Sequence, residues 1–233
     1  MTVFAPQGNY NMIALVCQPF PCITVIPATK AGGRSKMAIK KSKYATILAD
    51  PPWLRDQLGN YGAVKHYQLM SLEKIKAMPV EDLAADNAHL YLWLTNSVIR
   101  DGYEIMEKWG FKPRSMCVWL KPQLSLGNYY RLCCEFLLFG TRGNAPVKFK
   151  AQPNWLFAAR QRHSQKPEEQ YAIIERMSHG PYLELFARHR QPGWDIWGLE
   201  APGGSDIEIP GYPVPTYSTK VNQKNNEKGV EHV

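Results

Sequence analysis

Residues 44–53 read YATILADPPW: a short run of apolar and strand-forming residues that ends in a carboxylate, two prolines and a tryptophan. An apolar run of that length, closed by proline, reads as a strand buried on both faces of a sheet. Each proline fixes its own φ, lacks an N–H and pushes the residue before it out of the helical region. Asp50 and the Pro51 carbonyl are therefore expected in an extended, preset array beyond the strand's carboxyl end. Side by side, a carboxylate and a carbonyl accept two N–H bonds. That matches an exocyclic amine, whereas a ring nitrogen or a hydroxyl would leave one acceptor unpaired. Trp53 adds a flat face on which a base could stack. Asp-Pro is also ordinary turn chemistry, so the stretch alone leaves two readings, a turn or a clamp for an amino group.

Further apolar runs follow: AHLYLWL (88–94), RSMCVWL (114–120), LCCEFLLFG (132–140), NWLFAAR (154–160) and YLELFA (182–187) all read as strands. Between them, SVIRDGYEIMEKWG (97–110) has apolar residues at helical spacing and Gly110 at its end. KPEEQYAIIERMSHG (166–180) has Pro167 near its start, Glu168 and Glu169 in its first turn and Gly180 as terminator. Alternation of this kind predicts an α/β domain with a mostly parallel sheet and helices on both faces. Ligands of such sheets bind beyond the strands' carboxyl ends, which is where Asp50 falls.

The chain has 233 residues, 45% of them hydrophobic and 21% charged, enough for one well-cored domain with tails. The expected organisation is a basic tail over 1–43, a domain over 44–200 and a flexible tail over 201–233. Of the net +8, residues 1–43 hold +6 with no acid, which leaves +2 for everything else. Nucleic-acid affinity in the domain must then come from local patches. The segment MIALVCQPFPCITVIP (12–27) is too short and too broken by proline to span a membrane. Met37 is the expected natural start, a few residues before the first strand. Five cysteines without a CxxC pair indicate neither a disulfide framework nor a zinc site, which fits a reducing cytoplasm.

The DPPW stretch resembles the signature of the DPPW-type adenine-N6 methyltransferases, the MT-A70 family, which includes messenger-RNA enzymes and phage and bacterial DNA-modifying relatives. Further stretches agree in order: HYQLMSLEKI (66–75), VWLKP (118–122), RHSQKPEEQYAIIERMS (162–178) and LELFARHRQPGWDIWGLE (183–200). The resemblance implies a Rossmann-like, S-adenosylmethionine-dependent methyltransferase fold with permuted motif order, the catalytic strand first and the cofactor half last. It implies that Asp50, Pro51, Pro52 and Trp53 are catalytic. Lys166 would pair with the cofactor carboxylate, Phe186 and Arg188 would line its nucleoside, and Glu200 would approach its ribose. Tyr67, Trp119 and Lys121 would serve the target. No metal is required.

Departures from the family pattern are Leu199 where an asparagine is usual, Cys134 where a histidine is common, and the absence of a glycine-rich turn after the cofactor strand. The compact chain favours DNA over RNA as target, with a second copy as a candidate partner. A cytosine-N4 enzyme and an inactive, nucleic-acid-binding partner subunit are the alternatives.

Overall fold

A computed structural model describes residues 44–54, 69–125, 129–161, 165–198 and 203–213. Within them seven strands form one sheet: β1 (Tyr44–Ala49), β2 (Ala84–Leu94), β3 (Lys112–Ser125), β4 (Leu132–Arg142), β5 (Trp155–Phe157), β6 (Tyr182–Leu185) and β7 (Trp194–Trp197). The order across the sheet is β5-β3-β4-β2-β1-β6-β7. Neighbours pair in parallel except where β4 meets β2 and β3. This is a Rossmann-like sheet, mostly parallel as its buried apolar strands require.

YATILA lies inside that sheet, between β2 and β6. Its side chains alternate between two cores: Ile47 and Ala49 join the layer under helices α1 (Leu72–Lys76), α2 (Val80–Leu83) and α3 (Ile99–Lys108), and Leu48 joins the layer under α4 (Glu169–Met177). A strand with helices on both faces has no solvent side, so polar alternation is absent from its sequence. α3 turns Ile105 and Met106 inward and stops at Gly110, whose φ of +81° is open to glycine at little cost. Inside α3, a Cβ on Gly102 would come within 2.4 Å of a Leu94 methyl, so glycine there buys close helix–sheet contact.

The chain runs from β1 outward to β2 and later returns to add β6 on the other side of β1. The sheet order therefore reverses at β1, and the crevice beyond the carboxyl ends of β1 and β6 is the place for a ligand. The stretch from Ala201, expected as a flexible tail, differs over 203–213. There Asp206 accepts from the Ile196 N–H and Ile209 is buried in the core. Apolar Ile207, Ile209 and Tyr212 supply the reason, because they cover core surface left open by α1. Residues 1–43, with the proposed start at Met37, and residues 214–233 lie outside the described residues. No helix among the described residues is long and apolar enough to cross a membrane.

Candidate active site

Asp50 leaves the end of β1 with its backbone N–H directed at the Leu185 carbonyl of β6, so the two strands set its position. Pro51 is buried, and its carbonyl accepts from the Trp53 N–H at 3.0 Å. The tight turn holds the array as the prolines require, but one Pro51 lone pair is already used. The Asp50 carboxylate is not idle either. Its Oδ2 accepts from Lys166 Nζ at 2.7 Å.

Lys166 lies just ahead of α4 and reaches across the crevice. Its ammonium also meets Glu135 Oε2 at 3.5 Å, and Glu135 Oε1 accepts from Lys121 of β3. Four charges thus alternate in sign, Lys121, Glu135, Lys166 and Asp50, drawn from β3, β4, the approach to α4 and the end of β1. Lys166 and Asp50 side chains are only 13% and 19% exposed, so each depends on its neighbours rather than on water. Burial pulls the Lys166 ammonium toward neutrality, but the Asp50 and Glu135 carboxylates outweigh it and hold its pKa above the usual lysine value. Burial pushes Glu135 up, yet Lys166 and Lys121 keep it below the usual carboxylate range. Lys166 also sits 5.5 Å from the centroid of the Trp93 ring, whose Nε1 donates to buried Gln170 at 2.8 Å.

The other wall of the crevice comes from β6 and the turn that follows it. Glu184 is buried, and Tyr171 of α4 donates its hydroxyl to Glu184 Oε2 at 2.8 Å. The Tyr171 hydroxyl oxygen also lies 2.9 Å from His189 Nε2. One O–H cannot serve both, so with Glu184 ionised the histidine donates to the phenol oxygen. Burial, first, and the Asp50 and Glu168 charges raise the Glu184 pKa to about 7, against the Tyr171 bond and Arg188. Phe186 leaves β6 with φ of +65°, a strained value for a non-glycine residue, and packs edge-on against Trp197. Asp50, Trp93, Lys166, Gln170, Glu184, Phe186, Arg188 and His189 all line one cleft open to solvent.

A protein-family model described as MT-A70 matches residues 44–200, the span that carries every part of this cleft. The chain belongs to the MT-A70 family. With that membership comes the reaction class, S-adenosylmethionine-dependent methyl transfer to the N6 amine of adenine. The chain is similar to Type II methyltransferase M.MunI of a Mycoplasma species, 30% identical over 199 residues that make up 74% of this chain and 83% of that one. It is also similar to the N(6)-adenosine-methyltransferase catalytic subunit METTL3 of Homo sapiens, 30% identical over 174 residues, 69% of this chain but 29% of that one. An MT-A70-like N(6)-adenosine-methyltransferase of Arabidopsis thaliana is 30% identical over 171 residues, 69% of this chain and 24% of its own length. The chain thus spans most of the bacterial relative and under a third of the two longer ones.

Of the residues expected in this MT-A70 site, Asp50, Lys166, Phe186 and Arg188 line one cleft. Lys121 joins through Glu135. Tyr67, Leu199 and Glu200 lie outside the described residues. Trp53 does not offer an open stacking face: it is 5% exposed in the core layer under α1–α3, because the turn after Pro51 folds it back beneath the sheet end. Trp119 is likewise buried, its Nε1 donating to the Ala158 carbonyl. It reaches the site through Lys121, whose ammonium lies 4.4 Å from its ring centroid. Lys166, expected on a cofactor carboxylate, is engaged by Asp50 and Glu135. Those two carboxylates take two of its three N–H groups, leaving one for a further acceptor. Sequence reasoning missed Glu135, Glu184, Tyr171 and His189. The signal available was a single acid inside each of two apolar runs, LCCEFLLFG and YLELFA.

Proposed function

We propose that this MT-A70 enzyme methylates the N6 amine of adenine in DNA, with Asp50 as the group that receives the amine. The observation that carries the reading is the placement of Asp50: a carboxylate fixed at the end of β1, bonded to Lys166, in the same cleft as Phe186 and Arg188. DNA is favoured by the similarity to a Type II methyltransferase along 83% of that relative's length.

The residues fit S-adenosylmethionine. Its amino-acid end carries both signs of charge, and the cleft offers Lys166 and Arg188 for the carboxylate with Glu184 for the ammonium. Phe186 supplies an apolar edge for the nucleoside. When bound, the cofactor supplies a sulfonium methyl, an electrophile that needs no acid catalyst. The work of the protein is on the nitrogen. The adenine N6 lone pair is delocalised into the ring, and accepting its N–H bonds at Asp50 and at the remaining Pro51 lone pair favours a more pyramidal nitrogen with that pair available. Lys166 holds the Asp50 carboxylate in one orientation, and Asp50 meets the positive charge that develops on N6. Alignment of nitrogen, methyl carbon and sulfur can contribute about 7–11 kcal/mol of barrier reduction. A target inside a duplex must leave the stack to reach this crevice.

The test is Asp50→Ala with labelled S-adenosylmethionine and matched DNA and RNA oligonucleotides, followed by nucleoside analysis. Methylation should vanish while cofactor affinity stays within a few fold. Loss of both together would mean that Asp50 serves the cofactor instead, and N4-methylcytosine as product would replace the adenine reading.

A further inference from the structure

Charge in this protein is sorted along the sheet. Residues 112–166 hold ten lysines and arginines against one acid, Glu135, a local +9. Residues 44–111 and 167–233 together hold twelve against nineteen acids, a local −7. The stretch runs through β3, β4 and β5 toward one end of the sheet; within it Lys166 reaches Asp50 in the crevice and Arg142 pairs with Glu81, while Lys150 and Arg160 are exposed beside β5. From Gly143 to Pro167 there is no acid at all, and Lys148, Phe149, Lys150, Trp155, Phe157 and Arg160 are exposed along the way.

β5 is the last strand on that side and pairs only with β3. Leu156 points into the core at 6% exposure, so the two-residue period of a strand turns Trp155 and Phe157 to the opposite face, where they are 54% and 63% exposed. Leu120, in register with Phe157, extends the patch. Two outward aromatics on an edge strand are an unusual surface to leave in water. The strand is anchored to the site: Ala158 donates its N–H to the Leu120 carbonyl, next to Lys121. Beyond β5, the Arg160 guanidinium bonds Ser125 Oγ at 3.2 Å and its backbone N–H bonds Gln123.

We propose that this edge docks the unpaired nucleic-acid strand beside the target base, with bases stacking on Trp155 and Phe157 and phosphates met by the surrounding cations, Lys150 and Arg160 among them. The inference rests on the nucleic-acid reading above. Charge decides the occupant. A second copy seated on this patch would bring the exposed Lys148, Lys150 and Arg160 against their own likeness with no acid between Gly143 and Pro167 to meet them, whereas a phosphate backbone is attracted to them. Base accessibility decides the form of nucleic acid: a duplex hides its base faces, and a single strand presents them to open rings at every step.

The experiment measures binding of one labelled sequence as single-stranded DNA, single-stranded RNA and duplex DNA by fluorescence anisotropy, for the full chain and for the Trp155→Ala, Phe157→Ala double variant. Both side chains are exposed, and unchanged thermal melting confirms the fold. The single-strand dissociation constant should rise about tenfold or more, within the range for loss of stacked bases. Duplex affinity should move far less, S-adenosylmethionine affinity by calorimetry should not change, and Trp155→Phe should keep most of the single-strand affinity. The tighter of the DNA and RNA arms names the source of the strand. Single-strand affinity unchanged in the double variant would overturn the proposal, as would an equal loss on duplex. A fall in sedimentation coefficient with oligonucleotide affinity kept would assign the patch to a second copy instead. Absence of methylation by the unmutated protein on every oligonucleotide would count against the activity reading alone, because the binding comparison does not depend on turnover.

Discussion

Lys166 is held by two carboxylates 2.7 and 3.5 Å away, and what it does follows from that enclosure. Lys166→Met leaves Asp50 and Glu135 facing each other with little water. Removing one partner of a buried ionic network costs about 3–5 kcal/mol, and the opening of this cleft argues for the lower end. Urea unfolding should therefore show a loss near 3 kcal/mol by that rule; a loss under about 0.5 kcal/mol would mean that water already screens the group as at a surface. Glu184 makes a second prediction, one that depends on pH. Its pKa rises on folding from 4.5 to about 7, so the folded protein holds the proton more tightly than the unfolded chain. Its favourable contribution is complete below pH 4.5 and is lost as pH climbs to about 7. Glu184→Gln stays neutral throughout. Between pH 5 and 8 the native protein should lose about 2–3 kcal/mol that the glutamine variant keeps. Parallel stability profiles for the two proteins would show that the Tyr171 hydrogen bond and Arg188 offset burial and the Asp50 and Glu168 charges, leaving Glu184 with no raised pKa.

At the scale of elements, β6 and β7 meet the crevice through one close approach. A Cβ on Gly198 would lie 2.0 Å from the Ala187 carbonyl oxygen and 2.5 Å from its nitrogen, both backbone atoms that cannot rotate away. Gly198→Ala should therefore part the end of β7 from the Phe186–Arg188 turn. The expected cost is about 3 kcal/mol or more, as for other steric clashes with fixed backbone, with weaker S-adenosylmethionine binding in titration calorimetry. A midpoint of denaturation equal to that of the native protein would show that the turn yields freely. Most elements were legible because burial on both faces writes itself as unbroken apolar runs: YATILA became β1 and YLELFA became β6, at nearly the expected limits. The reversed direction of β4 was not legible, since LCCEFLLFG has the same composition whichever way it runs. Neither was the fate of Trp53 and Trp119. A strand or turn with core on both sides gives a tryptophan no sequence mark to say which side is open. Glu135 stayed hidden for a different reason: its meaning comes from Lys166, and Lys166 in turn bonds an aspartate 116 positions away.

The whole molecule has a net charge of +8, of which the +2 left outside the basic N-terminal stretch looks unremarkable in sequence. That small value is the residue of two large ones, +9 over 112–166 and −7 over the rest of 44–233. The sheet makes part of the difference physical, because it places β3, β4 and β5, with exposed Lys148, Lys150 and Arg160 beside them, toward one end. An anionic strand should therefore be bound by one end of the molecule, and its salt dependence should report on that end alone. For single-stranded nucleic acid, the logarithm of affinity falls with the logarithm of salt concentration at about 0.7 per phosphate neutralised. Lys150→Gln with Arg160→Gln removes two exposed cations from the basic end. The slope should become shallower by about 1.4, two contacts' worth. Arg100→Gln with Lys108→Gln removes two equally exposed cations from α3, in the acidic part. Net charge changes by the same amount, so a field that acted through total charge would alter both slopes alike. The charge-sorted reading requires the first pair to change the slope and the second to leave it within error. Equal changes in the two pairs, measured by anisotropy over a range of potassium chloride concentrations, would remove the basic end as the docking surface and leave only a diffuse attraction.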